Sequence, residues 1–363
     1  MKYQLKTRQI CFFFIAFMPI TKFFVLPSIL AEIAKEDMWI SSLLNLIADL
    51  ITLSFITVAC KNADTDFFGL LKSAFGEKTT KVILILYAIF FFLKAFIPLQ
   101  EQKEFVKLSL YINLPTDLFF IPFFIVSTYL ALKPLRAYGR VSDILFIFTL
   151  LGFILLLCLS FSNVDFSAIL PIGARGIKSV SLGAYRSANW WGDCVYLAFF
   201  IGSFKHGKKA SVKIILSYLL AGVIVIIAMI FFWGSFTSIA FRQKFAMTEL
   251  SKYTTVIYNT GRFDYVAIIF ILFSCVFSLA LPLYFCANLL QRVFNLKRKW
   301  IFPVAVNLSM AILIICLNSY MVSITYFFGR YMSIFFILMA NVLPIFTIFL
   351  TNKRGLTNEN AKA

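Results

Sequence analysis

Apolar runs long enough to cross a bilayer recur along this chain, and they decide its fold class. A helix rises 1.5 Å per residue, so a hydrocarbon core about 30 Å thick takes roughly 20 apolar residues. Such runs lie near residues 9–33, 38–60, 79–100, 118–132, 143–161, 181–203, 212–238, 263–290, 301–317 and 325–351. Inside hydrocarbon every backbone N–H and C=O must find its partner within the protein, and helices do so segment by segment. The expectation is an all-α integral membrane protein of about ten transmembrane helices. With 61% of its 363 residues hydrophobic, the chain carries more apolar surface than a soluble globule of this size can bury.

The charges read as topology signals. Lys2, Lys6 and Arg8, the basic stretches within 61–81, 133–140, 205–213 and 292–299, and Lys353, Arg354 and Lys362 fall on one side. The other side carries the smaller set Lys35, Lys103, Lys107, Arg175, Lys178, Arg242, Lys244, Lys252 and Arg262. The positive-inside rule places the larger set, and with it both termini, in the cytoplasm. The net charge of +18 is thus spread over short connections, and no nucleic-acid partner is expected. The seven cysteines show no CxxC spacing, and the single histidine, His206, lies in a basic loop, so no disulfide framework, metal site or cofactor is expected. There is no phosphate-binding glycine loop, HExxH or GxSxG, and the chain is not expected to be an enzyme. The third run is expected to continue as a water-exposed helix through Glu101-Gln102-Lys103-Glu104 to about Tyr111. A single membrane domain over 1–351 would leave 352–363 as a cytoplasmic tail.

Two of the runs are interrupted in the middle. The first contains Met18-Pro19-Ile20-Thr21-Lys22, where proline removes a backbone donor and its ring crowds the preceding turn. The sixth contains Ser187-Ala188-Asn189-Trp190-Trp191-Gly192-Asp193, polar and glycine-bearing at mid-membrane depth. First and sixth of ten are corresponding positions in two halves. That pattern is expected of a five-plus-five inverted repeat, about 9–161 and 181–351, whose broken helices expose backbone groups to a midplane ligand. A proline kink beside an unrelated polar patch would give the same letters.

Ionisable residues inside spans are costly and need partners. Lys22, Lys94 and Arg186 are such cations, and Asp49 and Asp193 are the only acids placed at comparable depth. Asn45, Asp49 and Thr52 share one face of the second span at i, i+4, i+7. Asp49, Lys94 and Arg186 are expected to form an intramembrane charge network, serving a ligand or holding the bundle together as structural ion pairs. Ser274 and Ser278 are candidates to line the same cavity.

Thr7-Arg8-Gln9 leading into the first run, Leu26-Pro27-Ser28-Ile29-Leu30-Ala31-Glu32 and Asp37-Met38-Trp39-Ile40-Ser41 resemble the start of the B subunits of bacterial spore germinant receptors, the GerAB type. Phe204 to Ala210, Met247 through Asp264 and Leu289 to Phe302 are similar too, so the resemblance covers about residues 5–350. It implies the amino acid/polyamine/organocation transporter superfamily and a LeuT-like fold. It further implies a multi-pass protein of the spore inner membrane, working beside receptor A and C subunits and binding a small germinant, commonly an amino acid. The family's pocket maps onto Thr21 and Lys22 in helix one and Asn189, Trp190 and Asp193 in helix six. One departure stands out: many relatives break helix one with a Gly-x-Gly-Ile sequence, and this chain has Pro19-Ile20-Thr21-Lys22. A lysine ammonium there replaces exposed amides or takes the space of a coupling cation. The alternative function is a proton-coupled carrier of amino acids or organic cations, acting through Asp193 or Asp49. A scaffold for the other subunits, with its charges satisfied internally, is a third reading.

Overall fold

The structure is a computed structural model that describes residues 5–62, 65–109, 116–246, 249–250, 264–317 and 320–360. Among the described residues regular structure is almost entirely helical. Six stretches are long and apolar enough to cross a membrane: Leu26–Lys61, Glu77–Val106, Leu135–Asn163, Ala210–Arg242, Ile269–Phe294 and Ser323–Thr351. Two shorter apolar helices, Phe120–Ala131 and Ile301–Cys316, accompany them. Large apolar side chains such as Ile47, Ile51 and Phe55 point outward, while Asp49, Thr52 and Lys94 are buried. That reverses the arrangement of a water-soluble bundle and fits a lipid solvent.

The chain opens with α1 (Thr7–Phe17), which stops where Pro19 cannot donate. A single tight turn follows at Ile20–Lys22, closed by Lys22 N–H to Pro19 O at 3.0 Å. Then α2 (Leu26–Ala34) starts with Pro27 in its first turn, where a missing donor costs no helical bond. Lys35, at φ +48°, turns the chain into α3 (Met38–Asn62), which packs back on α2. A short α4 (Phe67–Phe75), capped by Asp66 accepting from the Gly69 amide at 2.9 Å, leads to α5 (Glu77–Ser109). Then come α6 (Thr116–Ala131) and α7 (Leu135–Ser160).

The second interruption separates α8 (Gly176–Ser187) from α9 (Val195–Phe200). Beyond it run α10 (Ala210–Phe236), α11 (Asp264–Phe294) and α12 (Ile301–Cys316). The last stretch is built from α13 (Met321–Phe327), α14 (Ser333–Ile337) and α15 (Leu343–Asn360), joined by π turns at Phe328–Met332 and Leu338–Val342. The stretch read as a tail is helical as far as Asn360. Most of the 247–263 segment lies outside the described residues.

Contacts between helices place both interruptions at the centre. α1 packs on α7 and α10, α3 on α8 and α10, and α11 on α5, α6 and α7. Glycines allow the closest approaches: a Cβ on Gly222 of α10 would stand 2.3 Å from Leu46 of α3, and one on Gly183 of α8 2.5 Å from Ser41 Oγ. The start of α1 is tied to the end of α9 by Leu5 N–H to Ser203 O, at 3.0 Å.

The third helix does continue past residue 100, but Glu101, Gln102 and Lys103 are buried rather than exposed to water. Neighbouring helices cover that face: Gln100 Nε2, for example, donates to Ile314 O of α12 at 3.2 Å.

Candidate functional site

Where a helix breaks, its backbone groups lose their i→i−4 partners and must be met by something else. At the first break, Lys22 is completely buried and its ammonium donates to Met18 O at 2.8 Å, a carbonyl left without its helical donor because the Lys22 amide bonds Pro19 O instead. At the second break, Lys94 of α5 reaches the carbonyls of Trp190, at 3.4 Å, and of Trp191. Gly192 takes φ +81°, open to glycine at little cost, and aims its amide at Asp49 Oδ2, 2.9 Å away. Backbone groups released by both interruptions are thus satisfied by charged side chains.

The charges then meet one another. Lys22 pairs with Oδ2 of Asp193, and Lys94 Nζ lies 3.0 Å from its Oδ1. Lys22 Nζ also stands 5.1 Å from the centroid of the Trp191 ring. Asp49 pairs with no described lysine; besides the Gly192 amide it accepts from Tyr218 OH of α10, and Cys194 Sγ lies at 3.6 Å. Of its face-mates on α3, Asn45 serves the second break, its Nδ2 donating to Ala184 O and Ser187 Oγ, both at 2.9 Å, while Thr52 Oγ1 donates to Asn341 Oδ1 in the last π turn at 2.9 Å.

Beside this cluster is a cavity of about 20 Å³, lined in part by Thr21, Lys94, Asn189, Trp190, Asp193 and Ser278. It has room for one water. Asn189 is 5% exposed, and neither its Oδ1 nor its Nδ2 has a hydrogen-bond partner among the described residues. A buried amide left this way is costly, and this one stands on the cavity wall. Trp190 covers one end, its indole N–H held 3.0 Å from Glu101 Oε1. The other end is plugged by Phe91, Tyr196 and Phe285, with ring centroids 5.2–5.8 Å apart. Beyond the plug is a second cavity lined by Phe199, Tyr284, Asn288 and Arg292; beyond Trp190 is a third, lined by Glu32, Glu104, Arg186 and Lys244.

Thr21, Lys22, Asn189, Trp190, Asp193 and Lys94, all named from sequence, therefore surround one point, with Asp49 directly behind the Gly192 turn. Arg186 does not join them. It lies on the far side of Trp190, its guanidinium 5.7 Å from the Tyr326 ring centroid. Ser278 lines the cavity, whereas Ser274 is occupied between helices, accepting from Thr149 Oγ1 at 2.8 Å. Asp49 and Asp193 are also not the only buried acids. Glu101 and Asp37 are fully buried, the latter capping the Gly173 and Arg175 amides at 2.7 and 2.9 Å. The sequence reading missed Glu101 as a buried acid; the one signal for it was its place seven residues after Lys94, on the same helix face. In the loop after α9, burial and then nearby Lys61 hold the His206 imidazole below its ordinary pKa, and its Nε2 lies 3.0 Å from Ser211 Oγ.

Residues 4–323 match the family model described as "Spore germination protein". No curated protein matches the chain. Among solved structures it is similar to the manganese transporter of Eremococcus coleocola. A mutant form of that transporter aligns with TM-score 0.55 and 13% identity over 93% of this chain and 78% of the other. Its complex with an aromatic bis-isothiourea substituted compound aligns with TM-score 0.53 and 12% identity over the same shares. At such identities the likeness is one of fold, that of the LeuT-like transporters. The chain belongs to the spore germination protein family and is a multi-pass membrane protein.

Proposed function

We propose that this member of the spore germination protein family is the ligand-binding membrane subunit of a nutrient germinant receptor. It sits in the spore inner membrane with both termini in the cytoplasm, beside receptor A and C subunits. Its helices make ten crossings arranged as a five-plus-five inverted repeat, with α1/α2 and α8/α9 as the discontinuous first and sixth. The observation that carries this reading is the joining of both interruptions through one carboxylate, Asp193, with the unpartnered amide of Asn189 alongside.

In this reading the lysines are tethered cations standing where a broken-helix transporter would hold a free one. The neighbour's manganese is therefore not this chain's ligand, since the carbonyls and carboxylate at the break already face ammoniums. A small zwitterion such as an amino acid offers both charges. Its carboxylate competes with Asp193 for Lys22 or Lys94, its ammonium competes for Asp193, and Asn189 supplies the remaining hydrogen bonds. At about 20 Å³ the cavity is closed to such a molecule, so binding requires Trp190 to leave Glu101 or the aromatic plug to part. A ligand drives that change only by as much as it prefers the opened state. The unlocked helix-six break then transmits the event to the partner subunits.

A second reading, a proton-coupled carrier of amino acids or organic cations, draws on the transporter fold and on the buried Asp49 and Asp193. Uptake of labelled amino acids into proteoliposomes of the purified chain separates the two. Accumulation driven by a proton gradient supports the carrier, whereas binding without accumulation supports the sensor.

A further inference from the structure

The cavity on the far side of Trp190 has the composition of a site in its own right. It measures about 220 Å³ and is lined by Glu32 of α2, Glu104 of α5, Arg186 of α8, Lys244, Trp190 and Tyr326, among others. Two cations and two anions line it, so it selects no net charge. Glu104 and Lys244 are satisfied by each other through Oε1, at 2.7 Å. The second oxygen of Glu104 is buried and has no hydrogen-bond partner among the described residues. Arg186 and Glu32 stand on helices that pack together, yet neither forms an ion pair with a described residue. Opposite charges facing one cavity without closing on each other leave a gap that a dipolar molecule can bridge.

We infer that this cavity is a second ligand site, for a zwitterionic α-amino acid with an apolar or aromatic side chain. Arg186 receives the carboxylate in the bidentate geometry a guanidinium favours. Glu32 and the free oxygen of Glu104 receive the ammonium. The side chain lies between Tyr326 and the outer face of the Trp190 indole. Trp190 lines both this cavity and the one beneath it, so it is floor to one site and roof to the other. The site goes beyond the break site and stands or falls separately from it.

The test is equilibrium binding of tritiated L-alanine, L-leucine and L-phenylalanine to the full chain in lipid nanodiscs. Wild type is expected to bind at least one of them. Arg186→Gln and Glu32→Gln should each weaken that binding about tenfold or more, the scale of one charge-assisted contact. Arg186→Lys, which keeps the charge and loses the bidentate fork, should fall between wild type and Arg186→Gln, and Lys22→Met should leave this component in place. Should Arg186→Gln fail to fold, Glu32→Gln at its exposed position carries the comparison. Binding lost in Lys22→Met but unchanged in both outer variants overturns the outer site and leaves the break site standing. Loss in the outer variants alone supports the outer site and removes the break site. Binding of none of the three amino acids by wild type overturns the assignment.

Discussion

Lys22 and Lys94 approach the two oxygens of one carboxylate from different helices: Lys22 pairs with Oδ2 of Asp193 and Lys94 with Oδ1. Both ammoniums also hold backbone carbonyls released by the helix breaks. Each interruption is therefore kept in shape by the charge that neutralises the other, and disturbing one disturbs both.

Removing that carboxylate should be costly. Asp193→Asn leaves two buried ammoniums without their counter-charge, a loss of about 3–5 kcal/mol. Adding Lys22→Met to the same chain removes one of the stranded cations and should recover part of the deficit. Thermal unfolding in nanodiscs checks this. Equal melting temperatures for wild type and Asp193→Asn would mean that the ion pairs contribute nothing to the fold.

Trp190→Phe keeps the ring but removes the indole donor, leaving the buried Glu101 carboxylate without that bond. The stranded acceptor costs about 1–3 kcal/mol and should loosen the lid. Ser278→Cys, on the cavity wall, reports the opening in a chain whose seven native cysteines are replaced by serine or alanine. Its labelling by a water-soluble maleimide should be faster in Trp190→Phe than with Trp190 present. An unchanged rate would show that Trp190 does not close the cavity.

Gly192→Ala should destabilise the sixth-helix break. A left-handed φ of +81° costs a non-glycine residue about 1–3 kcal/mol, and the new Cβ would stand 2.5 Å from that of Ala340. Gly207→Ala, in open surroundings, is the control and should melt near wild type. Comparable losses in the two variants would contradict a special role for the Gly192 turn.

The apolar runs showed the fold class because in a bilayer the pattern of length and hydropathy is the structure's main constraint. Pro19 and the Asn189-to-Asp193 stretch likewise marked both breaks, since missing donors and mid-span polar groups have few other uses there. What remained hidden depended on tertiary contact. Glu101 sits in a run of four polar residues that reads as solvated, and only the covering helices make it a buried partner for Trp190. Asp49 finds an amide, a phenol and a thiol instead of an opposite charge, and no count of charges reveals such partners. Arg186 has the depth of an intramembrane cation by sequence number, but its side chain leaves the cluster for Tyr326.

The central claim is that a germinant acts on the Lys22–Asp193 lock. Its most direct test is the germination dose–response of spores carrying Lys22→Ala or Asp193→Asn, with amounts of the variant protein in the spore membrane matched to wild type. The account predicts that both variants shift the response to higher germinant concentration or abolish it. Dose–responses superimposable on wild type for both would contradict it.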